Sequence, residues 1–120
     1  MARPRKFNEL HVIDASMSLF AQNGFNATSV DDLLEATGLL RGSLYKAFGS
    51  KLNVFLIGFK SCVDSFDVNN SRHLDLLTVA LRDLAQVDDS TKELCRLALT
   101  RSPSSLPMLL GNNLINRLEN

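Results

Sequence analysis

Basic and hydroxyl side chains crowd into one short stretch of this chain. Thr28, Ser29, Arg41, Ser43, Tyr45, Lys46 and Lys51 all fall within two dozen positions. An arginine fork suits the paired acceptors on a guanine edge, whereas lysines and hydroxyls suit phosphate oxygens. Gly42 and Ser43 are small enough to let a backbone approach a bound surface closely. A second basic cluster, Arg3, Arg5 and Lys6, opens the chain. The same residues also admit plainer readings. Lys46 and Lys51 fit an ordinary solvated surface, and Tyr45 fits a half-buried core aromatic with a wet hydroxyl.

The elements that must position these residues all read as helices, because apolar side chains recur at three- and four-residue spacing and nowhere alternate. A first helix is expected over about Phe7 to Asn23, stopped by Gly24 as a left-handed cap. Ser29 and Asp32 have the spacing of a capping box, with Thr28 as an alternative cap. A second helix then covers about Val30 to Thr37 and ends at Gly38. A third runs from about Arg41 to Phe48, with Leu44 and Phe48 on its core side. A turn this short, around Gly38, makes the two helices cross steeply, and such a pair lays its second helix into a duplex groove about 12 Å wide.

The fourth helix opens at Lys51, and its stripe from Leu52 to Phe66 is too long for three short helices to cover. It reads as a connector broken at Asn69-Asn70-Ser71. Three further helices are expected over about Arg72 to Val87, Thr91 to Thr100 and from Leu106-Pro107 onward, where proline suits a first turn. The fold class is therefore all-α, with a head over 1–50 and a connector helix and short bundle over 51–120. A unit of about 60 residues buries only about 60% of its unfolded surface. The two halves are expected to lean on each other or on a second copy.

Composition excludes several functions. The chain has 120 residues, 45% apolar and 22% charged, with zero formal net charge. Residues 1–60 hold seven basic and five acidic side chains, and residues 61–120 hold six and eight. Val54 to Phe59 is far too short an apolar run to span a bilayer. Asn8, Glu9, His11 and Asp14 stand where a signal sequence would be apolar, so a cytoplasmic location is expected. Cys62 and Cys95 lack any metal-ligand spacing; they read as half-buried thiols, a redox switch being the sharper alternative. His11 and His73 join no nucleophile or carboxylate pair. No enzyme activity, metal or cofactor is expected.

The order and spacing of several short segments resemble the tetracycline-repressor (TetR) family of transcriptional regulators over about residues 3–60. They are Arg3-Pro4-Arg5-Lys6-Phe7, Leu19-Phe20-Ala21-Gln22-Asn23-Gly24-Phe25, Ala27 through Leu34, Thr37-Gly38-Leu39, and above all Gly42 through Lys51. The resemblance implies a helix-turn-helix head, double-stranded DNA as partner, and repression from a palindromic operator as a homodimer. It implies that backbone amides at Thr28 and Ser29 bind a phosphate at a helix N-terminus. Arg41, Gly42, Ser43 and Lys46 would meet base edges. Tyr45 and Lys51 would touch phosphates, and Arg3, Arg5 and Lys6 would form an arm beside the DNA.

The chain departs from that pattern in three ways. Leu34 replaces a usual alanine at the contact between the two short helices. Leu40 replaces a serine or threonine that caps the recognition helix. The carboxyl-terminal part is short, so a small-molecule inducer has little room in a pocket of about 300 Å³ or more. The last helix is apolar over a wide arc; one side is expected on the fourth helix and the other on a second copy. A reading of another class also stands: a shortened regulator acting as a protein-interaction or mixed-dimer module without productive DNA binding.

Overall fold

The computed structural model describes residues 8–119, and among them all regular structure is helical. Helix α1 spans Glu9–Asn23, α2 Val30–Thr37, α3 Arg41–Phe48 and α4 Lys51–Asp64. Helix α5 spans Ser71–Val79, α6 Asp89–Arg101 and α7 Leu106–Asn116. Arg3, Arg5, Lys6 and Phe7 lie outside the described residues.

The capping expected at α2 is present. Asp32 N–H donates to the Ser29 hydroxyl at 3.0 Å, and Ser29 N–H donates to the Asp32 carboxylate at 2.9 Å. Helix α1 begins at Glu9, where the Asn8 side chain accepts from Leu10 and His11 N–H, the cap that the first turn needs. Gly24 ends α1 at φ 94°, ψ 168°, a positive-φ extended geometry instead of the left-handed helical one expected. Gly38 does take the left-handed form, at φ 77°, ψ 7°.

Two helices differ from the expected lengths. Helix α4 stops at Asp64, short of Phe66. Helix α5 continues past Val79 through a wider, π-type turn over Ala80–Leu84, closed by Ala85 N–H on the Ala80 carbonyl at 2.8 Å. A π-type turn inserts one residue into the spiral and rotates the residues beyond it.

One core runs through both halves. Phe55 is fully buried and meets Phe20 edge-on at 5.4 Å and Phe25 edge-on at 5.7 Å, while stacking on Phe59 at 5.4 Å. These rings join α4 to α1 and to the turn after α1. Leu33, Leu44 and Phe48 close the head beneath them. Helix α1 also packs on α5, α4 on α6, and α5 on α7. Helix α7 therefore rests chiefly on α5, not on α4 as expected. Its Pro107 sits in the first turn, whereas Met108, Leu114 and Ile115 are exposed.

Gly58 lets α1 and α4 approach closely. A Cβ there would lie 2.4 Å from Met17 Cγ and Sδ. Gly58→Ala is expected to lower stability by about 1–3 kcal/mol through overpacking, read by urea unfolding. Met17→Ala in the same chain should recover part of that loss, and an unchanged midpoint for the single variant would contradict the close approach.

Candidate nucleic-acid interface

Helix α3 is amphipathic across its short length. Leu44 and Phe48 face inward, while Arg41, Gly42, Tyr45 and Lys46 are exposed and Ser43 is half-buried. Positions 41, 42, 45 and 46 share one arc because i, i+1, i+4 and i+5 fall together on a helix. Nothing within 4 Å of Gly42 occupies the space a Cβ would take, so the backbone is open to approach. Tyr45 is 41% exposed, with its ring at the edge of the core and not within it.

Arg41 is ion-paired with Asp31 of α2. Both groups remain well exposed, so the pair contributes little to stability. Its effect is on charge. Helix α2 carries three acids, Asp31, Asp32 and Glu35. Asp31 is matched by Arg41, and Asp32 turns back into its capping box, where its hydrogen bonds from Ser29 hold its carboxyl below the usual range.

Three of the expected contact residues have other work. Thr28 is fully buried; its hydroxyl donates to the Gly24 carbonyl at 2.7 Å and its N–H to the Phe25 carbonyl at 3.3 Å. Ser29 N–H is held by Asp32. The first-turn amides with no intrahelical acceptor and no capping partner are thus those of Val30 and Asp31. Lys51 points into the turn between α1 and α2. Its Nζ donates to the Phe25 and Thr28 carbonyls, both at 3.0 Å, and sits 4.2 Å from the centre of the Phe25 ring. Burial lowers its pKa, partly offset by the charge of Asp83. Two of its three N–H donors are committed, which leaves one for any outside acceptor.

The turn is also gripped from the carboxyl-terminal half. Asp83, in the π-type turn, accepts from Phe25 N–H at 2.9 Å and Asn26 N–H at 3.4 Å. Arg82 holds its other side, donating to Asp83 at 2.8 and 3.2 Å. Arg117 donates to the Gln22 carbonyl at 3.0 Å and to Asp75 at 3.2 Å, which places a cation at the negative end of α1. No local pattern in the sequence singles out Asp83 or Arg117, since the backbone groups that they hold lie far off along the chain.

Leu40 caps α3 with no side-chain hydrogen bond and is 77% exposed. Leu34 is half-buried and packs against the core. Cys62 and Cys95 are buried and unbonded, and burial pushes their thiols up to about 12 and about 11. Among the described residues no group of acids, histidines and cysteines is placed to hold a metal ion, and no helix is long and apolar enough to cross a membrane. Between α4 and α6 runs a groove of about 850 Å³ over Leu56, Leu94 and Leu97, walled by those two helices alone and wide open to solvent.

A three-helix head that exposes a short basic helix after a glycine turn defines a helix-turn-helix module. Residues 12–56 match the family described as bacterial regulatory proteins, tetR family. This part of the chain belongs to that family. The "Uncharacterized HTH-type transcriptional regulator YezE" of Bacillus subtilis (strain 168) is 30% identical over 89 residues, covering 72% of this chain and 46% of YezE. The "HTH-type transcriptional repressor ComR" of Escherichia coli (strain K12) is 36% identical over 72 residues, 60% of this chain and 34% of ComR. The "HTH-type transcriptional repressor BdcR" of the same organism is 45% identical over 53 residues, 44% of this chain and 27% of BdcR. The matched stretches thus span less than half the length of these relatives. No solved structure matches the chain.

The bare Leu40 cap yields a direct test. Leu40→Ser supplies an oxygen for the first-turn amides of α3 and is expected to raise stability by about 1 kcal/mol. Thermal or urea unfolding measures this. An unchanged or lower midpoint would show that the missing cap costs nothing here.

Proposed function

We propose that this protein is a DNA-binding transcriptional regulator that represses by occupying its operator. Helix α3 enters the major groove, and the amino end of α2 abuts the sugar–phosphate backbone. The supporting observation is the exposed arc of Arg41, Gly42, Tyr45 and Lys46, with Ser43 beside it, backed by Leu44 and Phe48 and left uncovered by the other described residues. Arg41 and Lys46 address base edges together with Ser43, and Tyr45 addresses a phosphate. The Val30 and Asp31 amides stand in for the Thr28 and Ser29 amides, and Lys51 braces the head while offering one donor. Arg3, Arg5 and Lys6 act as the basic arm. The relatives named as repressors favour this direction of control.

In this reading residues 1–50 read DNA, and residues 51–120 support the head and pair two copies. The exposed apolar side chains Met108, Leu114, Ile115 and Leu118 favour a homodimer. Two heads related by a twofold axis suit a palindromic operator. For a small-molecule inducer, the α4–α6 groove is open to solvent and lacks the walls of an enclosing pocket. Such a regulator acts in the cytoplasm, without an enzymatic step or cofactor.

Selection from random duplexes tests the reading, followed by a titration over a salt series. A palindromic consensus is expected, with affinity falling steeply as salt rises. Arg41→Ala should cost about 1–3 kcal/mol and relax preference at one base pair per half-site, whereas Lys46→Ala should weaken binding with a changed base preference or a shallower salt slope. Absence of any binding at low salt would refute the proposal.

A further inference from the structure

The turn joining α1 to α2 is held by charged side chains on two sides, and one of them comes from the opposite half of the chain. Phe25 and Asn26 N–H both reach the same carboxylate oxygen of Asp83. Lys51 takes the Phe25 and Thr28 carbonyls from the other side. The Phe25 backbone is thereby held at both its donor and its acceptor. Asp83 is only 9% exposed in its side chain and stays charged because Arg82 and the two loop amides favour the carboxylate. It reaches the loop from the π-type turn of α5. Space at Gly24 completes the fit. A Cβ there would come within 2.7 Å of the Arg82 guanidinium and 3.2 Å of the Asp83 carboxylate.

We propose that Asp83 is a positioning residue for DNA binding: it latches the carboxyl-terminal half onto the α1–α2 turn and so sets the placement of α2 and, through it, of α3. The inference rests on the DNA-binding reading above. Asp83 itself touches no DNA in this scheme. Its removal deletes a negative charge from the head's neighbourhood, and simple electrostatics would then strengthen binding to a polyanion. Loss of the latch has the opposite sign, because the loop amides lose their acceptor and α2 gains freedom that binding must remove.

The test uses the full chain with Asp83→Ala and the gentler Asp83→Asn, titrated against the duplex selected for the unaltered protein, well below the unfolding temperature. Affinity is corrected for the folded fraction measured by urea unfolding. Asp83→Ala is expected to bind at least about 5-fold more weakly, with an unchanged salt slope because no phosphate contact is lost. Asp83→Asn should fall between, since it keeps an oxygen acceptor. Amide hydrogen exchange should quicken at Phe25, Asn26 and α2 while α6 and α7 keep their protection. Equal or tighter binding by the folded variants overturns the inference, as does unchanged exchange at Phe25 and Asn26. Should Asp83→Ala fail to fold, Asp83→Asn decides by the same two readings. If the unaltered protein binds no duplex, the DNA-binding reading fails, and exchange at the two amides alone tells whether the latch exists.

Discussion

A turn pressed against a core must satisfy its own backbone, and the one between Gly24 and Thr28 meets that demand with charged side chains. Its Phe25 ring packs into the aromatic cluster, so water cannot serve every peptide group around it, and each unpaired group would cost about 1–3 kcal/mol. Asp83 takes amides, Lys51 takes carbonyls, and the Thr28 hydroxyl closes back on Gly24. Arg117 does the same for the last carbonyls of α1. The direction of α2 follows from this turn, and the presentation of α3 follows from α2.

The arrangement explains why the head and the rest of the chain share one core. The three short helices expose more apolar surface than they can bury among themselves. Phe55 and Phe59 of α4 complete them from one side, and α5 completes α1 from another. Two parts of the uncovered surface of the described residues differ in character: a basic and hydroxyl arc on α3, and an apolar strip on α7. The first suits a polyanion. The second suits a protein surface.

Much of this was legible in the sequence because its causes are local. Ser29 and Asp32 announce a capping box three residues apart. Gly24, Gly38 and Gly49 mark helix ends where φ turns positive. Leu44 and Phe48 share a face, which leaves Arg41, Tyr45 and Lys46 outside. The failures have long-range causes. Lys51 looks like a free cation until the loop 23 residues before it folds back and offers two carbonyls. Thr28 looks like an exposed cap until Gly24 supplies an acceptor and the core closes over it. Asp83 lies 58 residues from its partner amide, and only the π-type turn aims it there. The expected seat of α7 on α4 failed because a periodic apolar face states that burial occurs without naming the partner.

The central claim is that α3 presents its outer face to a duplex, and mapping amide shifts by NMR as a selected duplex is added tests it most directly. The largest shifts are predicted to trace the α3 arc from Arg41 to Lys46 and the first turn of α2, with α6 and the outer side of α7 quiet. Shifts concentrated on α6 or α7, with the α3 arc unmoved at saturation, would contradict it.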